Sequence, residues 1–425
     1  MRVVINILRK AHSAWWQFWY MYVGVKYRIT ILRHRYSVLL RRISNKYGDS
    51  KLRVLFLVGN SAKWKMQTLY DCMRESGKYH PFIALTIQDQ ETSYSREEKI
   101  EHLKKLKRYF EERNMEVVDA IAGGGSHPVP LSKFTPNIVF YQMPWDIDDA
   151  QSPFTVSKYA LTCYVPYFVQ NYGNLAMDCC EPFHRYLWRH FTLNNYWSKA
   201  FMDAQDSTTG RAGAVEGTGH PMLDTFEGMD SVGDGSVIYA PHWSCGVGER
   251  YSTFHKNWRR MLQFARNHSD VKWIFKPHPS LRKVVIDNHI MSPREVDEYY
   301  NAWETLGETC YDGDYLRLFA RSSAIITDCG SFLVEYACTG KPIIHLVSDE
   351  MLFKPHPVAQ MLFDTYYSVH NWEEFCRTFE DVIVRCNDYK REIRQKTVSD
   401  MNLIGENAAQ NIVECLDRTF KYEAG

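Results

Sequence analysis

Short apolar runs recur along the chain, and each closes on a small or polar residue. Leu52 to Val58 ends at Gly59, Val271 to Phe275 runs into Lys276-Pro277-His278-Pro279, and Ala324 to Ile326 ends in Thr327-Asp328. Further runs lie at Pro81 to Ile87, Glu116 to Ile121, Asn137 to Gln142, Ser236 to Pro241 and Ile343 to Val347. Runs this short predict strands buried on both faces, as in a parallel sheet. Helical patterns separate them at Lys65 to Ser76, Arg96 to Arg113, Thr253 to Asn267 and Pro293 to Thr305. Alternation of strand and helix predicts βαβ units wound on both sides of a sheet. The Gly123-Gly124-Gly125 run reads as a flexible loop, and a Tyr/Trp-rich region spans Tyr159 to Trp197.

The stretch Glu227 to Gly235 reads as a hinge between two such domains, one over residues 51–230 and one over 235–371. From Trp372 onward the chain is charged and helical without a core of its own, so it is expected to pack back across both domains. The predicted fold class is α/β: a pair of doubly wound Rossmann-like domains behind a helical leader.

Composition adds one asymmetry. The 425 residues carry a net charge of +1, yet residues 1–50 hold ten Lys/Arg against the single acid Asp49, leaving the rest of the chain at net −8. Within that leader stand Trp15, Trp16, Phe18, Trp19, Tyr20, Tyr22 and Tyr27. Its longest stretch without Lys, Arg, Asp or Glu is Ala11 to Val25, 15 residues, against about 20 apolar residues for a membrane span. Interfacial aromatics beside basic residues suit a helix lying on an anionic membrane surface. The competing reading is a helix packed on the protein itself. Nothing else in the chain is basic, so nucleic acid is not an expected partner. The expected location is the cytoplasmic face of the cell membrane, held peripherally. The eleven cysteines, Cys179-Cys180 included, show no Cys-x-x-Cys pair and read as reduced thiols, with no zinc site.

The densest chemistry lies at Ala324 to His345. A strand, a small-residue turn (Cys329-Gly330-Ser331) and a helix start in that order present free N–H groups and the positive end of the helix dipole, which suits phosphate. Gly330 permits close backbone approach. Ser331 is expected to cap the helix and to offer its hydroxyl. Glu335 lies four residues on, facing the same way, placed for a ribose hydroxyl pair. With Lys276 and His278 after the preceding strand, these residues suggest one nucleotide site at the carboxyl edge of a parallel sheet. The phosphate motifs thus concentrate in the second domain, the layout of a GT-B transferase with its acceptor in the interdomain cleft. Lys354-Pro355-His356-Pro357 repeats Lys276-Pro277-His278-Pro279 and is read as coincidence.

At these residues the sequence resembles the CDP-glycerol glycerophosphotransferase family, the polymerases and primases of teichoic-acid-type polymers, in its capsule- or lipopolysaccharide-associated branch. The matching segments are Tyr239-Ala240-Pro241, Lys276 to Pro279, Ile326 to Ser331, Glu335-Tyr336, Gly340-Lys341-Pro342, and Gly219-His220-Pro221 with Asp224. The resemblance covers roughly residues 155–350 and implies a GT-B fold, CDP-glycerol or a related CDP-polyol as donor substrate, no further cofactor, and a lipid-linked or membrane-bound glycan acceptor. Better-known members carry a His-Gly-Thr-Pro segment whose His is a candidate base. Here Tyr164-Val165-Pro166-Tyr167-Phe168 stands in its place.

The implied chemistry is phosphoryl transfer. An acceptor hydroxyl attacks the glycerol-bearing phosphorus and CMP leaves. Ser331, Gly330, Asp328 and Lys276 would serve the donor, His278 the leaving phosphate and Glu335 the ribose. His242, directly after Tyr239-Ala240-Pro241, and Asp146, after the Asn137 strand, are the candidate bases; a His titrating near neutrality suits that task. No metal is expected. Two rival readings are a GT-B glycosyltransferase using a nucleotide sugar and a non-catalytic membrane-surface scaffold.

Overall fold

The computed structural model describes residues 2–173, 182–226, 233–311, 315–403 and 407–424, with the backbone alone at 2–21, 89–90 and 423–424. The chain divides into two units: Met1–Tyr167 with Leu175–Met222 and Asn407–Gly425, and Phe168–Asn174 with Leu223–Glu406. Most of the expected hinge, residues 227–232, and Cys179-Cys180 lie outside the described residues. The nine described cysteines are free thiols.

Unit 1 is built on seven parallel strands: β1 (Leu52–Val58), β2 (Tyr79–Leu85), β3 (Val117–Asp119), β6 (Ile138–Tyr141), β7 (Leu161–Tyr164), β8 (Arg189–Thr192) and β9 (Ala214–Gly217). A hairpin, β4 (Ile121–Ala122) and β5 (His127–Pro128), follows β3. Strand order is β3-β2-β1-β6-β7-β8-β9. Alternate residues of β1 serve opposite layers: Val54, Phe56 and Val58 join one core, Leu55 and Leu57 the other. The three glycines expected to form a flexible loop make the hairpin turn instead. All have positive φ (63°, 69° and 92°), which only glycine adopts in succession at little cost.

The basic leader is one helix, Arg2–Ser44, of 43 residues. Its second half is core: Ile29, Leu32, Tyr36, Leu39 and Ile43 are buried with Ile412, Leu416 and Phe420 of the helix Ala408–Ala424. Several of its arginines are committed to unit 1. Arg33 donates to the Arg211 carbonyl at 2.7 Å, Arg35 to Phe154 at 3.2 Å and Arg42 to Tyr159 at 3.1 Å. Self-packing therefore holds for residues 29–44. Among the described residues no helix is long and apolar enough to cross a membrane.

Unit 2 carries six parallel strands: β10 (Ser236–Ala240), β11 (Lys272–Phe275), β12 (Glu308–Thr309), β13 (Ala324–Thr327), β14 (Ile343–Leu346) and β15 (Tyr367–Val369), in the order β12-β11-β10-β13-β14-β15. One layer packs Val237, Tyr239 and Phe275 against Phe254, Tyr299, Trp303, Phe375 and Phe379. The C-terminal segment is shared out: Trp372–Phe379 and Arg391–Asp400 belong to unit 2, the helix Ala408–Ala424 to unit 1. In both sheets the order reverses beside the first strand, between β1 and β6 and between β10 and β13. Such switch points are where open α/β sheets bind ligands.

Candidate functional site

The unit 2 switch point gathers most of the expected residues. β11, β10 and β13 are adjacent and parallel, so Lys276 and His278, then His242, then Asp328 to Ser331 all leave the same sheet edge. The His242 and His278 rings stand 5.2 Å apart, edge to face. Beyond β13 the helix Gly330–Ala337 begins, with Gly330 and Ser331 in its first turn and buried Glu335 one turn further on. Burial raises the Cys329 thiol to about 12, with a smaller push from the Glu335 charge.

Three expectations change in detail. Ser331 does not cap the helix: the cap residue is Cys329, without a side-chain cap bond, and Ser331 is the second helical residue. Gly330 is a close-approach glycine, but protein fills the approach. A Cβ there would stand 3.2 Å from Tyr172 Cδ2 and 3.5 Å from Asn171 Oδ1. Asn171 Nδ2 donates to the Gly330 carbonyl at 2.6 Å, and Tyr172 stacks on Tyr251 at 4.8 Å while its hydroxyl meets His345 Nε2 at 3.2 Å. Asp328, expected beside the donor, is 2% exposed and holds the loops instead. Its Oδ1 accepts from the His242 N–H (2.7 Å), and its Oδ2 from the Thr253 N–H (2.6 Å) and hydroxyl (3.0 Å). Burial still outweighs those bonds and raises its pKa to about 6.

The histidines are fixed in their tautomers by their own loops. The Ser244 N–H donates to His242 Nδ1 at 3.3 Å, and the Ser244 hydroxyl, which accepts from the Tyr251 N–H, lies 2.8 Å from the same nitrogen. Nδ1 is thus an acceptor and Nε2 carries the hydrogen. Desolvation lowers the imidazole to about 3, which favours its neutral form. At His278 the Ser280 N–H donates to Nδ1 at 3.1 Å, setting the same tautomer. His356 repeats that device with the Val358 N–H at 3.1 Å, at the start of the turn Pro357–Ala359. The duplicated Lys-Pro-His-Pro segment is therefore a shared turn geometry.

In unit 1, Asp146 follows β6, exposed and at φ 52°. The two family-like segments of unit 1 meet each other: His220 Nε2 donates to the Pro166 carbonyl at 2.6 Å while its Nδ1 accepts from the Met222 N–H at 3.3 Å. Sequence reasoning missed Asn171, Tyr172, Tyr251 and Thr253. The first two lay inside the aromatic-rich region, where Tyr172 was one aromatic among many and nothing marked Asn171.

Two parallel α/β sheets of this kind define the GT-B fold. A UDP-GlcNAc 2-epimerase from Neisseria meningitidis, solved bound to UDP-GlcNAc, is similar over 87% of this chain and 100% of its own, at 13% identity and TM-score 0.56. The wall teichoic acid polymerase TagF, solved with CDPG, is similar over 94% of this chain and 98% of its own, at 11% identity and TM-score 0.52. A UDP-GlcNAc 2-epimerase from Methanocaldococcus jannaschii covers 87% of this chain and 100% of its own, at 14% identity and TM-score 0.50. No family model and no curated protein matches the chain.

Proposed function

We propose that the protein is a GT-B phosphotransferase. It would move glycerol phosphate, or a related polyol phosphate, from a CDP-activated donor to a hydroxyl of a membrane- or lipid-linked glycan or polymer. The observation that carries this is the convergence of His242, His278 and the start of the helix Gly330–Ala337 on one sheet edge. The likeness to TagF adds the fold of a protein solved with CDPG.

In this reading the pyrophosphate meets the Gly330–Ser331 helix start, the Ser331 hydroxyl and the Nε2–H groups of His242 and His278, with Lys276 adding charge. Glu335 takes the ribose. The acceptor oxygen forms a bond to the glycerol-bearing phosphorus, the bond to the bridging oxygen breaks, and CMP departs with that oxygen. A loose transition state places most of the demand on charge stabilisation and little on a base. Fixed neutral donors meet that demand, and Asp146 stays the acceptor-side proton candidate. No further cofactor enters. The first part of the leading helix, where Val23, Lys26, Tyr27 and Arg28 are not buried by the core, would rest on an anionic membrane surface at the cytoplasmic face.

A second reading, a transferase using a nucleotide sugar, draws on the same sheet edge and on the fold likeness to a protein solved bound to UDP-GlcNAc. Titration of CDP, CMP and UDP into wild type, His278→Ala and Ser331→Ala separates the two. The proposal expects CDP to bind more tightly than UDP, and each substitution to weaken it about tenfold or more. Preference for UDP would move the protein to sugar transfer. Absence of any nucleotide binding would favour a scaffold.

A further inference from the structure

The switch point of unit 1 carries polar groups that the fold does not use. β1 lies between β2 and β6, and the chain leaves all three strands at the same edge. After β2 come Gln88 and Glu91, after β6 comes Gln142, and the three are 2%, 1% and 1% exposed. Among the described residues, Gln88 Oε1, Glu91 Oε2 and both amide atoms of Gln142 are buried without a hydrogen-bond partner. Gln88 and Glu91 sit beside the end of β1, and Gln142 leaves the neighbouring strand β6. Gln88 Oε1 lies 3.2 Å from where a Cβ on Gly59 would stand, and Asn60, the next residue, donates to Glu91 Oε1. Asn60 is itself fixed, its Oδ1 accepting from the Ala62 N–H at 2.8 Å. The Gln142 carbonyl accepts from the Tyr167 N–H at 3.1 Å. Nearby Gln151 shows what a purely structural amide looks like here, bonded to Thr86, to the Ala120 carbonyl and to Val129.

Buried polar atoms left unmade cost on the order of 1–3 kcal/mol each, so four around one strand end call for an occupant. Its chemistry follows from the inventory. Three of the four atoms are acceptors, one of them on a carboxylate, and one is a donor. An anion would meet repulsion. A hydroxyl-rich neutral molecule supplies donors first and can accept once. Beside these residues Trp145, 36% exposed, meets Tyr167 edge to face at 5.9 Å, and such rings present faces to the C–H groups of a sugar or polyol.

We propose that the β1/β6 edge of unit 1, through Glu91, Gln88 and Gln142 with Trp145 alongside, binds a neutral polyhydroxyl ligand of the sugar or polyol class. This deepens the proposed transferase reading, and rests on it, by giving the acceptor chain a hydroxyl-recognising site.

The test is a titration of the full chain with ribitol and with methyl β-D-glucoside, followed by saturation-transfer NMR, with inorganic phosphate as the anionic probe. At least one neutral probe should bind the wild type, phosphate should not displace it, and Glu91→Gln or Gln142→Met should weaken it about tenfold. Trp145→Ala, at an exposed position, should weaken it as well and carries the test if the buried variants do not fold. Neither neutral probe binding, or equal binding to wild type and Trp145→Ala, overturns the proposal and leaves the four atoms to water. CDP titrated into the wild type in parallel keeps the two readings apart. Polyol binding without CDP binding overturns the transferase reading alone, and the reverse overturns this site alone.

Discussion

The Asp328 carboxylate accepts the backbone N–H of His242 at 2.7 Å, tying the end of β13 to the loop after β10 across 86 residues of sequence. Its other oxygen takes the Thr253 N–H and hydroxyl, so one buried side chain at the end of β13 fixes both ends of the loop after β10, beside the candidate nucleotide site. Asp328→Asn keeps one acceptor but turns an amide N–H₂ towards groups that donate. Chemical denaturation should show unit 2 less stable by about 1–3 kcal/mol at pH 7, with CDP affinity falling in parallel.

Acid should destabilise the fold, and the sign follows from burial. His345 in unit 2 is lowered to about 3, and His184 and His220 in unit 1 to about 3 and about 4. Each binds its proton less readily folded than unfolded, so its stabilising contribution is full above the unfolded pKa near 6.5 and is lost as pH falls towards the folded value. The loss runs at up to about 1.4 kcal/mol per pH unit for each group. Asp328 acts in the opposite sense between about 4 and about 6, because its raised pKa makes protonation favour the folded state. Thermal unfolding between pH 7 and 4 should therefore show falling stability, and Asp328→Asn should make the fall of unit 2 steeper.

Gly330 and Tyr172 should be coupled. A methyl at Gly330 would stand 3.2 Å from the Tyr172 ring, so Gly330→Ala must move the helix start or the ring. CDP affinity is expected to drop about fivefold or more, and a double-mutant cycle with Tyr172→Ala should give a coupling of at least about 0.5 kcal/mol. Additivity would show that the ring does not set the helix start.

The leading helix should split functionally. Removal of residues 1–24 leaves Ile29, Leu32, Tyr36, Leu39 and Ile43 in place, so unit 1 should fold while binding to anionic vesicles is lost. Removal of residues 1–44 takes those core positions away and should leave unit 1 unfolded by circular dichroism.

The strands that carry the site were legible because β1, β10, β11 and β13 are apolar runs ending in small or polar residues, and buried parallel strands must look so. β7, β8 and β9 were not: each has four residues, and Thr162, Arg189, His190 and Glu216 break the apolar signature. Asn171 and Tyr172 escaped because their contacts with the helix start span 159 residues, a relation that no local pattern records. His242 was legible as a candidate residue but its tautomer was not, since that depends on Ser244 and Tyr251 in the folded loop. The orphan atoms of Gln88, Glu91 and Gln142 become visible only once burial is known.

Nucleotide release separates transfer from a CDP-polyol from transfer from a nucleotide sugar. Purified protein with membrane extract is given CDP-glycerol, CDP-ribitol and UDP-GlcNAc in separate reactions, alongside Ser331→Ala and His278→Ala. CMP released from a CDP-polyol by the wild type, and reduced at least about a hundredfold in both variants, is the predicted result. UDP release from UDP-GlcNAc with none of CMP, or CMP release untouched by both substitutions, would contradict the account.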